Sequence, residues 1–136
     1  MVEDGLPKEA DVGRLTRRAD FLRVAAVRRK WAAPGLILQV APQPAPVSDQ
    51  PIVPAIRLGF TASRKVGNAV KRNRARRRLK AVASELIGTR ARPGLDLVLI
   101  ARPATIDRPF DDLKRDLIQG LQRTKAARAG ADREAR

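Results

Sequence analysis

The sequence predicts a single α+β domain in which a sheet packs with helices. The length of 136 residues suits one domain with short tails. Segments that alternate as strands do are interspersed with segments of helical spacing, and no internal repeat links them. Hydrophobic residues make up 43% of the chain, which is enough for one modest core despite a formal net charge of +15.

The two ends of the chain are predicted to lie outside this core. Residues 1–13 are polar and contain Gly5, Pro7 and Gly13, which predicts a flexible tail. Residues 125–136 lack hydrophobic periodicity and predict a second, basic tail. The domain is therefore placed at residues 14–124.

The N-terminal half of the domain predicts one helix and two strands. Phe21, Val24 and Ala25 have helical spacing and predict a helix over residues 16–27, with Thr16 as its cap. The branched apolar run at residues 36–40 predicts a strand. Residues 56–63 alternate between apolar and polar side chains, which predicts a strand with one buried face.

The segment between these two strands, residues 41–55, holds five of the ten prolines in the chain. This composition indicates an extended or irregular loop, because proline has no N–H to donate to a sheet. We interpret the loop as a spacer, and a docking site for a proline-binding partner is the alternative.

The C-terminal half predicts a helix, a strand and a helix. The helix over residues 67–86 is expected to have Gly88 just past its end as a C-terminal cap, and its apolar stripe consists of Ala75, Leu79, Val82, Ala83 and Leu86. The nearly continuous apolar run at residues 95–101 predicts a strand buried on both faces. A last helix begins near Asp107 and Pro109, and its buried face consists of Phe110, Leu113, Leu117 and Leu121.

The residue types that are absent exclude several kinds of chemistry. The chain has no Cys and no His, which removes disulfides, thiol nucleophiles, zinc sites of the usual ligands and imidazole acid–base catalysis. No apolar run approaches the roughly 20 residues that span a bilayer, and the acidic N-terminus does not resemble a signal peptide. We therefore expect a cytoplasmic protein with no membrane contact.

The basic residues are concentrated in one segment. Between Arg57 and Lys80 there are ten basic residues and no acidic one. These are Arg57, Arg64, Lys65, Lys71, Arg72, Arg74, Arg76, Arg77, Arg78 and Lys80. On the predicted helix, Asn73, Arg77, Lys80 and Ser84 lie opposite the apolar stripe. Like charges at this spacing repel one another, so a polyanion is favoured over a solvated charged face as the explanation.

This segment resembles the signature of the bacterial ribonuclease P protein family. The matching features are Arg57-x-Gly59, the turn Ser63-Arg-Lys-Val-Gly-Asn-Ala-Val70, and Arg72-Asn73-Arg74 with further basic residues a turn later. Weaker similarity extends upstream to Arg14 and downstream past Pro103, so the resemblance covers roughly residues 14–122.

The resemblance implies a fold and a function. The fold would be a mixed sheet of about four strands packed with helices, in the order α-β-β-β-α-β-α. It would contain a left-handed β-α-β crossover, whereas general rules alone favour a right-handed one. The protein would assist a catalytic RNA, which with Mg²⁺ removes the 5′ leader of precursor tRNA. The protein itself would have no catalytic residue, hold no cofactor or metal, be a monomer when free, and bind as one copy per RNA.

The resemblance also assigns two sets of binding residues. The catalytic RNA would be bound by Arg64, Lys65, Asn68, Lys71, Arg72, Asn73, Arg74, Arg76, Arg77 and Lys80. The leader of precursor tRNA would lie in a cleft between the first helix and the polar sheet face, against Phe21, Val24, Ala25, Trp31, Arg57, Thr61 and Ser63. Phe21 either stacks on a base or belongs to the core, and both alternatives are open. Ala25 stands where the family often has a second large residue.

Three other functions compete with this hypothesis. A ribosomal or other structured-RNA-binding protein would share the charge and size. A DNA-binding protein would share the basic helix. A self-sufficient nuclease would need carboxylates for metal, and the candidates are Asp20, Asp96, Asp107, Asp111, Asp112 and Asp116.

Overall fold

The strands form one mixed five-stranded sheet in the computed structural model, which describes residues 10–45 and 54–129. They are β1 (Val12–Arg14), β2 (Arg29–Ala32), β3 (Leu36–Pro42), β4 (Ile56–Thr61) and β5 (Leu95–Ala101), in the spatial order β1-β4-β5-β3-β2. Strands β1 and β5 run parallel to β4, while β3 is antiparallel to β5 and β2 is antiparallel to β3. The predicted α+β domain with a mixed sheet is confirmed.

Helices cover the two faces of the sheet unequally. Helix α1 (Arg18–Val27) lies on one face, and α2 (Ala69–Arg90), α3 (Phe110–Arg123) and a 3-10 helix (Pro103–Ile106) lie on the other. In the described ranges, none of these helices is both long and apolar enough to cross a bilayer.

The main core lies between the sheet and helices α2 and α3. Its buried side chains come from alternate positions of three strands, which are Leu36, Leu38, Val40, Ile56, Leu58, Leu95, Leu97 and Leu99. The stripe predicted on α2, from Ala75 to Leu86, is buried against them, as are Leu113, Leu117 and Leu121 of α3. A much smaller core under α1 consists of Leu15, Val24, Ala41 and Val98, with Phe21 and Ile100 packed beside it.

The β-α-β unit that the resemblance implies is present. Strands β4 and β5 are parallel neighbours, and α2 connects them. The left hand of this crossover stays a prediction.

Two short strands were not predicted from residue patterns. Strand β1 has three residues and pairs only with β4, so residues 12–13, predicted to be tail, belong to the sheet. Strand β2 reads Arg-Lys-Trp-Ala, pairs with β3 and is the last strand in the described sheet order, which places it at the edge. Strands this short and polar carry almost no periodicity, because their stability comes from pairing with a neighbour.

Two helix boundaries also differ from prediction. Helix α1 begins at Arg18, and no side chain caps it, so the cap predicted at Thr16 is wrong. Helix α2 continues through Gly88 to Arg90. The backbone at Gly88 is held there by hydrogen bonds from the N-terminal and C-terminal segments of the domain. The Gly88 carbonyl accepts hydrogen bonds from the Ala10 N–H and the Arg128 guanidinium.

The C-terminal residues fold back onto the domain as far as they are described. Ala126 is fully buried, and Ala127 forms a bridge with Ala91. Residues 125–129, predicted to be tail, are therefore packed against the domain. The rest of both predicted tails and the proline-rich residues 46–53 lie outside the described residues.

Candidate nucleic-acid interface

A basic surface begins at the turn between β4 and α2. Gly67 has a φ of 145°, a left-handed conformation that favours glycine and turns the chain into the helix. Asn68 then caps α2, because its side-chain oxygen accepts a hydrogen bond of 3.0 Å from the Lys71 N–H. The turn exposes Arg64 and Lys65 beside this helix N-terminus. Two exposed cationic side chains therefore precede a helix N-terminus closely in sequence, an arrangement that suits a phosphate.

Helix α2 carries a basic strip, which we define as four cations spaced three residues apart, namely Lys71, Arg74, Arg77 and Lys80. All four side chains are exposed, and within the described part of the chain none has a hydrogen bond or ion pair. The strip is therefore free to bind an anion and repels itself when it does not.

Three neighbouring arginines are tied to the protein instead. Arg72 donates to the Gly67 carbonyl at 2.9 Å, and Arg76 donates to the Asn73 side-chain oxygen at 2.7 Å. Arg78 is half-buried and donates to the Arg108 carbonyl. Arg72 and Arg76 flank the apolar stripe as the helical spacing indicates, and both are partly buried, unlike the residues of the strip.

The second predicted surface lies around α1, on the side of the sheet opposite α2. We call it the α1 face, and it includes Phe21, Arg57 and Thr61. Phe21 lies half-buried with its ring against Gly59 of β4. One part of the ring therefore packs against the sheet and another faces solvent, and stacking of Phe21 on a base stays a prediction. Ala25 is exposed one turn later on the same helix.

Two arginines and two aspartates connect α1 to the sheet. Asp96 of β5 is fully buried, and Arg57 donates to its two carboxylate oxygens at 2.8 and 2.7 Å. Arg23 of α1 also donates to Asp96, and Asp20 lies 3.5 Å from Arg23 and 3.8 Å from Arg57. The hydrogen bonds to Asp96, with its charge and that of Asp20, raise the pKa of Arg57 above its ordinary value although burial opposes this. We call these four residues the α1 charge network.

The α1 charge network changes the role predicted for Arg57. Two carboxylates balance the two guanidinium groups, so Arg57 is not a free cation for a leader phosphate. Its position on the α1 face agrees with the prediction, and its contacts indicate that it holds the helix in place.

Two other predicted leader contacts are not on an accessible part of this face. Val24 is fully buried in the small core under α1. Trp31 pairs with Leu38 and lies against Gly120 and Arg123 of α3, so it is on the side of the sheet away from α1. The error for Trp31 arose because β2 was not recognised, and a one-residue change of register moves a side chain to the other face. Thr61 and Ser63 end the α1 face next to the basic turn.

The sequence interpretation missed two residues on the α1 face. Ile37 and Gln39 are half-buried, and their pairing with Ile100 and Val98 places them on this face beside α1. The signal was present, because β3 buries its even-numbered apolar residues against the main core and leaves the odd ones on the other side.

The carboxylates do not assemble a metal site in the described ranges, where no group of three or more His, Cys, Asp or Glu is suitably placed. Asp20 and Asp96 belong to the α1 charge network, and Asp116 is held by Arg108 at 2.6 Å. Asp112 pairs with Arg115 at the surface. The carboxylates proposed for a self-sufficient nuclease are thus largely engaged by arginines, which disfavours that alternative.

Comparisons with known proteins agree on one family. A family model described as Ribonuclease P matches residues 10–125. The ribonuclease P protein component of Paramagnetospirillum magneticum is 53% identical over 117 residues, which are 86% of each chain. That of Ruegeria pomeroyi is 44% identical over 113 residues, which cover 82% of this chain and 86% of the relative.

Solved structures show the same fold. The RNase P protein of Staphylococcus aureus matches with a TM-score of 0.65 and 23% identity, covering 85% of this chain and 97% of that one. The Thermotoga maritima RNase P protein matches with a TM-score of 0.61 and 24% identity, covering 78% of this chain and 92% of that one.

Proposed function

The chain belongs to the ribonuclease P protein family, and we propose that it binds the catalytic RNA through the basic strip and the precursor-tRNA leader through the α1 face. As a member of this family it is a protein subunit of the ribonucleoprotein endoribonuclease ribonuclease P.

The observation that carries the proposal is the uncompensated charge of the basic strip. Its four cations are exposed at intervals of three residues along α2, and the described residues supply them with no anion. A phosphate backbone provides repeated anions, and each neutralised phosphate releases counterions that favour binding. Cationic side chains from the turn at Arg64 and Lys65 extend the same surface.

The α1 face supports a single-stranded partner. It offers a half-buried aromatic ring at Phe21 and an amide side chain at Gln39. A base without a pairing partner can stack on an aromatic ring, whereas a base inside a duplex cannot. The unpaired 5′ leader of precursor tRNA fits this description better than duplex DNA does.

In this division of labour the RNA performs the chemistry. The RNA subunit would hold Mg²⁺ and activate the water, and the protein would position substrate and RNA. The protein would act in the cytoplasm, as one copy per catalytic RNA, without a resident cofactor.

A reconstitution experiment tests the proposal. The protein is mixed with a ribonuclease P RNA, for example that of Paramagnetospirillum magneticum, and precursor tRNA at low magnesium. We expect accurate 5′ maturation with both components and none with the protein alone. Failure to stimulate the RNA would favour a ribosomal or other RNA-binding role, and cleavage by the protein alone would contradict the proposed division of labour.

A further inference from the structure

A second basic surface lies at the β2 edge of the sheet. Arg28, Arg29, Lys30, Arg123 and Lys125, together with Thr124, line a shallow site of about 490 Å³. We call these five basic residues the edge cluster. None of them belongs to the basic strip or to the segment that carries the family signature.

The edge cluster is held by defined backbone geometry. Arg28 ends α1 with a φ of 63°, and Lys125 follows α3 with a φ of 61°. Residues other than glycine are uncommon in this left-handed conformation, which persists where surrounding contacts enforce it. One such contact joins the two turns, since the Arg29 guanidinium donates to the Thr124 carbonyl at 2.5 Å.

The charge of the edge cluster is not balanced by the residues around it. Arg28, Lys30, Arg123 and Lys125 are exposed, and no acidic residue lines the site in the part of the chain that the structure describes. Arg123 is held over the Trp31 ring at 5.2 Å from its centroid, which fixes its position without neutralising it. As with the basic strip, an anion would relieve this repulsion.

The position of the edge cluster indicates which anion reaches it. Arg28 directly follows α1. Lys30 pairs with Gln39, so the Lys30 side chain lies on the α1 face. The basic strip instead lies on α2, which covers the opposite face of the sheet and contacts β4 and β5. A single-stranded RNA that crosses the α1 face toward β2 therefore meets the edge cluster where the RNA passes the edge of the sheet.

We propose that the edge cluster binds backbone phosphates of the precursor leader, beyond the nucleotides held on the α1 face. The proposal rests on the function proposed above for the α1 face. It predicts that long leaders bind more tightly than short ones, and that this increment depends on salt.

The test measures how tightly the reconstituted holoenzyme binds precursors with leaders of roughly 4 and roughly 12 nucleotides, lengths that bracket common single-strand sites. The test variant is Lys30→Gln with Lys125→Asn, because asparagine tolerates the left-handed backbone. The control is Lys114→Gln with Arg115→Gln, which removes the same charge from α3. Circular dichroism checks that both variants fold.

We expect the test variant to lose the long-leader increment and to keep wild-type affinity for the short leader. For the long leader, the slope of log affinity against log salt should flatten by about 1.4, which is 0.7 for each of two lost contacts on a single strand. The control should leave both affinities unchanged.

Two results would overturn the proposal. Equal losses for both leaders would place the contact on the RNA subunit or the tRNA body, and unchanged affinity would make the edge cluster a solvated surface. Failure of the function proposed for the α1 face has a different signature, since wild-type protein would then not distinguish precursor from mature tRNA.

Discussion

The ring of Phe21 lies on Gly59 so closely that a β-carbon at that glycine would be 2.4 Å from the ring carbon Cε1. Glycine in the middle of β4 therefore creates the space in which the aromatic ring of α1 lies. Because the ring remains half-buried, its outer part is available to a ligand while its inner part fixes the ring against the sheet.

Removing the ring should weaken leader binding. In Phe21→Ala, we expect the holoenzyme to bind precursor tRNA less tightly by about 1–3 kcal/mol, the usual value for one stacked base, with mature tRNA almost unaffected. Parallel titrations with the two RNAs measure this difference. An equal loss for both would return Phe21 to a purely structural role.

Moving the ring should have a similar effect while the aromatic residue is kept. In Gly59→Ala, the added methyl group occupies the space of the ring and forces Phe21 outward. We expect a loss of about 1–3 kcal/mol in unfolding free energy, as for other overpacked sites, and weaker precursor binding. Denaturant unfolding and precursor titration test both effects. The double variant with Phe21→Ala should regain part of the stability, since the clash is removed.

The α1 charge network makes a separate prediction about stability. Asp96→Asn leaves Arg23 and Arg57 near a buried site without its carboxylate, and breaking a buried pair in this way typically costs about 3–5 kcal/mol. Asp20→Asn should cost less, because Asp20 is only 3.5 Å and 3.8 Å from the same arginines and is partly exposed. Denaturant unfolding of the two variants compares them, and equal losses would show that burial of Asp96 is unimportant.

The pH dependence of this network follows from Arg57. Its pKa is raised, so its contribution to stability is complete below the unfolded-state pKa and declines only as pH rises through the folded-state pKa. Both values lie far above neutrality. We therefore expect Arg57→Gln to lower the unfolding free energy by the same amount at neutral and at mildly alkaline pH. A loss that shrinks over that range would contradict the assignment.

The sequence was informative where side chains repeat with a period. The stripe of α2 and the apolar run of β5 are buried as predicted, because burial of a whole face determines both patterns. The solvent-facing residues of α2 followed directly from the same stripe. The resemblance supplied the fold beyond this, including the parallel pairing of β4 and β5.

The remaining features depend on contacts between distant residues. Nothing near Arg57 in the sequence indicates Asp96, which lies 39 residues away, so its pairing could not be inferred. Trp31 was placed on the wrong face because β2 carries no pattern of its own. The edge cluster was missed for a related reason, since residues 28–30 and 123–125 meet only in the folded chain.

Removing charge from the basic strip should weaken RNA binding. Arg74→Gln with Arg77→Gln should sharply weaken binding to the catalytic RNA and leave the domain folded, because both side chains are exposed and have no partner among the described residues. Removing mutually repelling charges should not destabilise the free protein. The dependence of log affinity on log salt should flatten by roughly one unit per lost phosphate contact.

Asn73 is assigned to the same RNA contact but carries no charge. Asn73→Ala, which also removes the acceptor for Arg76, should therefore weaken binding with little change in slope. The control Lys114→Gln with Arg115→Gln removes equal charge elsewhere and should preserve both quantities. Wild-type affinity and slope in the strip variant would show that α2 presents only a solvated face.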